Sequence, residues 1–441
     1  MSVKGEGYGR VKDFVRRHRP TLSLRRPQRI DPRTRLIVRP IAYRRSAFDV
    51  VESDDVDYRR YSPGEDFRSA NVAVIAMHVA HLDWVCDRVP WIVWKLAAAG
   101  RLALVFDRSG EGAPHHRKFT DELHALLSEK RVDFGRCLLL TQNRTYRADY
   151  EAYCVASGIQ RGMQVFEYDY FISRFFHDYA EQGGDVFQRR LAVFESRPAE
   201  RERRFFSLNY TARPARLMFL LSLMRDGLFE RGFISFGGFR TSADPLYTQF
   251  GQDAAAAALL REPGFQDLAR ELMPLLPRLA ALGQIFFGEG SFATTQRLAA
   301  DFETDVYART WFTAVTDTEM TARPIRITEK PLKPLVNFHP FLILGNPGSL
   351  AQLRAFGFQT FGSAIDEGHD EETDPRKRFD RVYGEVRRLC RLDQADLRKL
   401  EMRLRDVLVG NARHGLVEMP RIYRDRLNRE LIDKIKAVAS S

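Results

Sequence analysis

The sequence has few cysteines and no long apolar run, and both shortages exclude whole classes of protein. Its four cysteines are far apart, and none belongs to a Cys-x-x-Cys pair. This pattern argues against a structural zinc site or a disulfide framework and favours a reducing compartment. No window approaches the roughly 18 consecutive apolar residues of a membrane span. The first residues are basic rather than apolar, so we expect no secretory signal and a cytoplasmic protein.

Two signatures of nucleotide-binding proteins are also missing. The chain contains neither Gly-x-x-x-x-Gly-Lys-Ser/Thr nor Gly-x-Gly-x-x-Gly. Their absence argues against a P-loop kinase and against a typical dehydrogenase. Neither an internal repeat nor a low-complexity segment is present in the sequence.

Positive charge is abundant, with a net charge of +11 over 441 residues. Arginines crowd residues 1–45, and such a segment can bind anionic lipid or nucleic acid, or simply be a solvated arm. Nucleic-acid binding as the main function is disfavoured, because aromatic residues do not interleave with these arginines as a stacking platform requires.

Alternating strand and helix patterns predict an α/β protein with two units of similar size. Apolar runs predict strands at 71–77, 101–106, 137–141 and 163–168, then at 204–208, 233–238, 310–315 and 341–344. Helical patterns separate them and fill the C-terminal end. We predict a basic arm (1–45), a first Rossmann-like domain (46–200), a second Rossmann-like domain (201–374) and helices that pack back across the domains (375–441).

One charged stretch before the last predicted strand carries chemistry suited to a sugar nucleotide. Thr328, Glu329 and Lys330 are followed by Lys333 and by the apolar run 341–344, which a Gly-Asn-Pro-Gly turn ends. Lysine suits phosphate oxygens, a carboxylate accepts hydrogen bonds from ribose hydroxyls, and a helix start adds backbone N–H groups. Ligands of open α/β sheets lie beyond the carboxyl ends of the strands. The alternative is an ordinary solvated turn.

This order of charged turn, buried strand, Gly/Pro turn and helix resembles the donor-binding half of GT-B glycosyltransferases, in which two Rossmann-like domains face a cleft. The resemblance implies that residues 46–200 form the acceptor domain and residues 201–374 the donor domain. The chain is distantly similar to the bacterial α-1,3-fucosyltransferases, whose Thr-Glu-Lys element matches 328–330. The resemblance implies that the glutamate contacts the ribose and the lysine the phosphates. It also implies a diphosphate contact after the first donor-domain strand, where Asn209, Arg213 and Arg216 lie. The run 331–334, Pro-Leu-Lys-Pro, departs from the family pattern and leaves the donor sugar open.

The catalytic base is predicted from chemistry rather than from the resemblance. Inverting sugar transfer needs a group that takes the proton of the acceptor hydroxyl. Glu111 is our first candidate, because glycines flank it in the loop after strand 101–106. Asp107 is the second candidate, and an ordinary loop carboxylate is the alternative for Glu111. Lysine and arginine can stabilise the leaving diphosphate, so we expect neither a metal nor another cofactor.

Three further residues are assigned to the donor site by position. Thr316 and Thr318 end a predicted donor-domain strand, and Glu367 is either a contact to a donor hydroxyl or a helix cap. A loop with His-x-x-His-x-Asp spacing could bind a metal, but this spacing is weak evidence; it consists of His78, His81 and Asp83.

Together these features predict a cytoplasmic, metal-independent and inverting glycosyltransferase in cell-surface polysaccharide or glycoconjugate synthesis. Its substrates would be GDP-sugar or another nucleotide sugar and a glycan or lipid-linked acceptor. The basic arm suits peripheral docking on an anionic inner membrane. The alternatives are a nucleic-acid- or anionic-lipid-binding protein on a degenerate Rossmann scaffold and a different nucleotide-using enzyme.

Overall fold

Two parallel β-sheets form the framework of the chain in its computed structural model. The first sheet contains β1 (Leu36–Ile41), β2 (Val56–Tyr58), β3 (Val72–Ala76), β4 (Ala103–Asp107), β5 (Cys137–Thr141) and β6 (Gln164–Glu167). The second contains β7 (Phe205–Asn209), β8 (Gly232–Phe236), β9 (Phe312–Thr316) and β10 (Phe341–Leu344). The strand orders are β2-β1-β3-β4-β5-β6 and β10-β9-β7-β8.

The structure describes thirteen segments of the chain, and all structural statements concern these. They are residues 36–41, 47–49, 51, 56–58, 67, 70–77, 82, 88–110, 112–180, 185–239, 251–285, 304–320 and 325–441. Most of the predicted basic arm lies outside them, as does the His78, His81 and Asp83 loop. The structure places β1 within that arm. This strand was not predicted, because Arg39 and Pro40 interrupt its apolar sequence.

Helices connect and flank the strands. In the first half they are α1 (Trp91–Ala98), α2 (Arg117–Glu129), α3 (Tyr146–Ala156), α4 (Tyr170–Ala180) and α5 (Val186–Glu195). Around the second sheet they are α6 (Pro214–Arg225), α7 (Gln252–Arg261), α8 (Gln266–Leu272), α9 (Leu276–Ala281), α10 (Thr304–Ala308), α11 (Glu329–Val336) and α12 (Ser349–Ala355). The last are α13 (Pro375–Arg391), α14 (Gln394–Arg413), α15 (Met419–Ile422) and α16 (Asn428–Ser440). None of the helices in the described ranges has both the length and the apolar character to cross a membrane.

Five of the described strands are buried on both faces, which explains their largely apolar sequences. Every residue of β3, β4, β5, β9 and β10 is buried, as expected for parallel strands covered by helices on two sides. The prediction of an α/β fold with two parallel sheets and C-terminal helices is confirmed.

The C-terminal helices contact both sheets. Helix α13 buries Phe379, Val382 and Val386 in the core of the second sheet. Helix α16 buries apolar residues, including Leu431 and Ile435, in a core shared with the first sheet. The chain thus returns from the second sheet to the first.

The carboxyl edges of the two sheets meet at one short segment. The backbone N–H of Arg144, which follows β5, donates to the carbonyl of Ile325 at 2.9 Å. In return, the N–H of Ile325 donates to Oδ1 of Asn143 at 3.2 Å. The next residue, Arg326, donates to the carbonyl of Gly112 at 2.8 Å. The loops after β4 and β5 therefore contact the segment that leads into α11.

We predict that Gly237→Ala strongly destabilises the end of β7. A Cβ at Gly237 would lie 1.9 Å from the carbonyl oxygen of Tyr210, so the backbone must shift. The thermal unfolding midpoint measures the loss. Gly384→Ala is the matched control: Gly384 lies in α13, and an added Cβ there meets nothing within 4 Å. Because alanine favours helix, this change should stabilise the protein by about 1 kcal/mol. Equal midpoints for the two variants would contradict the prediction.

Candidate functional site

A pocket of about 250 Å³ lies at the carboxyl edge of the second sheet, and we call it the cation pocket. Its positive side chains are Arg213, Arg216, Arg326 and Lys330. The other lining residues are Phe171, Tyr210, Thr211, Thr318, Thr328 and Glu329. The lining thus carries four cations and one carboxylate, which makes it a site for an anion.

One side of the cation pocket is the turn between β7 and α6. Arg213 is the N-cap residue of α6, and Pro214 occupies its first position, where a missing N–H costs nothing. Arg216 follows within the first turn and is only 4% exposed. Its guanidinium donates to the hydroxyl of Thr211 at 2.5 Å. Its Nε has no hydrogen-bond partner among the described residues.

Arg216 carries its charge where the protein does little to neutralise it. Within the described residues its hydrogen bonds go to Thr211 and not to a carboxylate. Burial, and then repulsion from Arg213, lowers the pKa of Arg216 to about 10, against the attraction of Asp317 and Glu329. A guanidinium is still charged at neutral pH with this pKa. An anionic ligand in the pocket would supply the opposite charge that Arg216 lacks.

The other side of the pocket is the start of α11, where the Thr-Glu-Lys element lies. Thr328 is the N-cap residue: its hydroxyl accepts from the N–H of Lys330 at 3.4 Å and donates to Oδ1 of Asp317 at 3.2 Å. Nζ of Lys330 lies 3.6 Å from Oδ1 of Asp317 and 3.7 Å from Oε1 of Glu329. Asp317 comes directly after β9 and therefore anchors this element to the sheet. Two helix N-termini, those of α6 and α11, thus open on the same pocket.

Arg326 connects the cation pocket to the first sheet. Its guanidinium donates to the carbonyl of Gly112 and forms an ion pair of 3.2 Å with Glu319. Gly112 has a φ of +57°, and a Cβ there would lie 2.8 Å from Cδ of Arg326 and 2.5 Å from Cγ of Gln142. Glycine is therefore required for this close approach.

The structure brings together six residues that the sequence assigned to the donor site. They are Arg213, Arg216, Thr318, Thr328, Glu329 and Lys330. Sequence reasoning missed Tyr210, Thr211 and Arg326, although each lies in a stretch already singled out. It also missed Phe171, which comes from α4 and gives no local signal.

Asn209 and Thr316 lie behind the pocket and brace the sheet. The hydroxyl of Thr316 donates to Oδ1 of Asn209 at 2.7 Å, and the amide of Asn209 donates to Ser207. Both residues are almost fully buried. They therefore fix the ends of β7 and β9 relative to each other.

Glu367 lies apart from the cation pocket, in the loop after α12. Its carboxylate accepts from the N–H of Phe361 and from the hydroxyl of Thr360, the latter at 2.8 Å. Arg354 of α12 lies 3.5 Å from the same carboxylate. These contacts hold the loop closed, and Glu367 is not among the residues that line the cation pocket.

The two candidate bases have different settings. Asp107 is 1% exposed, and its carboxylate accepts from the N–H of Ala47 at 2.7 Å and from the N–H and hydroxyl of Ser109 at 2.9 and 2.6 Å. Glu111 lies outside the described residues.

In the part of the chain that the structure describes, no group of three or more His, Cys, Asp or Glu side chains is placed to hold a metal ion.

No protein-family model matches the sequence, and no curated protein sequence resembles it at a significant level. Several solved structures match remotely, and three of them illustrate the level of similarity. An α,α-trehalose 6-phosphate synthase from Burkholderia multivorans gives a TM-score of 0.41 and 10% identity over 84% of this chain and 71% of that chain. A UDP-forming α,α-trehalose-phosphate synthase from Burkholderia xenovorans gives 0.40 and 8% over 84% and 74%. The N-terminal domain of trehalose-6-phosphate phosphatase from Candida albicans gives 0.39 and 10% over 86% and 71%. Such low values establish neither a family nor an activity for this chain.

Lys333 is a buried cation on α11, and we predict that it destabilises the protein at neutral pH. Burial, with repulsion from Lys330 and against the attraction of Glu329, lowers its pKa from 10.5 to about 8. Between pH 8 and pH 10.5 the unfolded chain binds more protons than the folded chain. The free energy of unfolding therefore falls as the pH falls from 10.5 to 8. Below pH 8 the full penalty remains, about 3 kcal/mol at 1.36 kcal/mol per pKa unit.

The replacement Lys333→Met should therefore raise the unfolding free energy at pH 7 by up to about 3 kcal/mol, and the gain should shrink towards pH 10. Denaturation of both proteins at the two pH values measures this. Lys399→Met, on the exposed face of α14, is the control and should change stability little at either pH. A gain that is the same at pH 7 and pH 10 would show that the charge of Lys333 is not its cause.

Proposed function

We propose that this protein is a glycosyltransferase of the GT-B plan that takes its sugar from a nucleotide-sugar donor. One observation carries the proposal: Arg213, Arg216 and Lys330 converge with the N-termini of α6 and α11 on a pocket beside the first sheet. A diphosphate is the ligand that such a site fits best, because it offers several anionic oxygens to several donors at once.

The same cations would assist the reaction. When the sugar leaves, negative charge develops on the diphosphate, and donors that are already in place stabilise it without further reorganisation. Arg216 is held by Thr211, and Lys330 is held between Asp317 and Glu329. We therefore propose that arginine and lysine take the role that a divalent metal has in other transferases.

A second cavity, of about 410 Å³, adjoins the cation pocket and shares Arg213 and Thr318 with it. Small residues line much of it, including Ala212, Ala215 and Ala258. Together the two cavities have a volume within the range of about 300–1,000 Å³ that is typical of ligand sites. We propose that the cation pocket holds the diphosphate and that the nucleoside extends into the neighbouring cavity, with Glu329 at the ribose.

Glu111 remains our choice for the base of an inverting transfer. The neighbouring residue, Gly112, contacts Arg326, which lines the cation pocket, and this contact supports the choice. Asp107 already accepts three hydrogen bonds from its own chain and is the weaker candidate. Transfer to a glycan or lipid-linked acceptor and docking of the basic arm on an anionic membrane are further parts of the proposal, which leaves the donor sugar open.

A thermal-shift screen against GDP, UDP, CMP, dTDP and ADP, each with Mg²⁺ and with EDTA, tests the proposal. A nucleotide that binds only the folded protein stabilises it by about 2.7 kcal/mol at 100 times its dissociation constant. We expect a shift with one diphosphate that EDTA does not remove. Lys330→Ala should abolish the shift, whereas Lys399→Ala, on the exposed surface of α14, should retain it. No shift with any nucleotide would overturn the proposed function.

A further inference from the structure

A separate cavity of about 340 Å³ lies between the first sheet, α12 and the start of α16, and we call it the junction cavity. Its wall includes Arg144, Glu167 and Asp169 from the carboxyl edge of the first sheet. Gln352 of α12 and Phe356, the residue directly after α12, also line the cavity. Neither the proposed donor site nor the proposed base uses any of these side chains.

Asp169 and Arg144 form an ion pair whose hydrogen bonding is incomplete. Nη2 of Arg144 donates to Oδ2 of Asp169, and Nη1 lies 3.4 Å from Glu167. Asp169 is 3% exposed, yet its Oδ1 has no hydrogen-bond partner among the described residues. Nε of Arg144 also lacks one within the same part of the chain. The wall of the cavity therefore holds one unused acceptor and one unused donor, and buried polar groups are usually paired.

Charge and shape restrict what the cavity can bind. Three carboxylates line it against two guanidiniums, so an anion such as phosphate would meet net repulsion. Phe356 lies beside the guanidinium of Arg144, 5.9 Å from ring centre to Cζ, and Phe166 supplies a second apolar surface. An uncharged ligand with apolar C–H faces and many hydroxyl groups suits this lining. Its C–H faces can pack on the aromatic rings, and each hydroxyl can both donate to and accept from the charged side chains.

Short stretches of chain link the linings of the junction cavity and the cation pocket. Asp169 lines the first and Phe171, two residues later, lines the second. The backbone N–H of Arg144, which lines the junction cavity, donates to the carbonyl of Ile325, which is next to Arg326 of the cation pocket. The two cavities are therefore lined in part by neighbouring residues of the same segments.

We propose that the junction cavity binds a sugar, with the Arg144–Asp169 pair as the hydrogen-bonding partner of its hydroxyl groups. Arg144 donates and the Asp169 carboxylate accepts, so the pair matches a hydroxyl group, which both donates and accepts. Binding of a sugar here does not require transferase activity. Only its use as an acceptor rests on the proposed function.

Saturation-transfer NMR of the full chain tests this site with glucose, galactose, mannose, fucose, N-acetylglucosamine and lactose. We expect signals from at least one sugar. Asp169→Asn keeps the shape of the side chain. It should weaken binding of that sugar at least about tenfold, which is the effect of losing one hydrogen bond to a charged group. Gln352→Trp fills the cavity from the half-buried surface of α12 and should abolish the signals even if Asp169→Asn fails to fold. Both folded variants should keep the nucleotide-induced thermal shift.

The bound sugar can be an acceptor or an effector. Adding the nucleotide sugar that matches the bound nucleotide distinguishes these two roles. An acceptor is consumed and a new product appears, whereas an effector stays unmodified and changes the affinity for the nucleotide. Signals that both variants retain, or no signal from any sugar, would overturn the site. Sugar binding in a protein that binds no nucleotide would instead uphold this site and remove the proposed donor function.

Discussion

Arg213→Ala is expected to weaken binding of the preferred nucleoside diphosphate by about 10- to 100-fold. Arg213 is the N-cap residue of α6 and lines both the cation pocket and the cavity beside it. Loss of a hydrogen bond to a charged group costs about 1.5–3 kcal/mol, which corresponds to this change in dissociation constant. Isothermal titration calorimetry in the presence of EDTA measures the effect.

Two control variants separate recognition from general charge. Arg213→Lys keeps the charge but loses the planar fork, so it should recover only part of the affinity. Arg270→Ala removes the same charge from the exposed surface of α8 and should leave the dissociation constant unchanged. If Arg270→Ala weakens binding as much as Arg213→Ala does, then net charge and not the pocket determines affinity.

Glu401→Gln is expected to lower the free energy of unfolding by about 3–5 kcal/mol, because it leaves buried charge without its partner. Glu401 accepts from Arg201 at 2.6 and 2.8 Å and lies 3.5 Å from Arg197. The side chains of these arginines are only 1% and 4% exposed. Burial, and then repulsion from Arg201, already lowers the pKa of Arg197 to about 9. Guanidinium denaturation measures the loss.

Glu195→Gln is the matched control for this change. Glu195 pairs with Arg405 at 2.9 Å, and both side chains are about half exposed. Exposed pairs contribute about 0–1 kcal/mol, so this variant should unfold close to the wild type. Similar losses in the two variants would mean that the cluster around Glu401 is worth no more than a surface pair.

The two strands that were predicted at their exact residues share one property, burial on both faces. β5 and β10 occur at the predicted residues, 137–141 and 341–344, because their apolar runs end sharply at polar turns. β1 and β2 escaped prediction for the opposite reason. β1 contains Arg39 and Pro40, and β2 is only three residues long, so the local sequence lacks a strand pattern and pairing within the sheet decides their structure.

The grouping of residues around the cation pocket was predictable where it is local in sequence. Thr328, Glu329 and Lys330 lie at one helix start, and Arg213 and Arg216 lie at another, so residue types and spacing identified both. Contacts between distant segments could not be read in this way. Arg326 meets the loop after β4, and Phe171 enters the pocket from α4. The burial of Asn209 and its hydrogen bond with Thr316 also depend on strand pairing that no spacing reveals.

The most direct test of the central claim is a calorimetric titration that compares a nucleoside diphosphate with its parent nucleoside, both in EDTA. If the cation pocket binds the diphosphate, the nucleoside diphosphate should bind more than about tenfold tighter than the nucleoside, since several charged hydrogen bonds are gained. The heat of binding should also show one site per chain. Equal affinities, or no binding of either compound, would contradict the assignment of Arg213, Arg216 and Lys330 to a nucleotide-sugar donor.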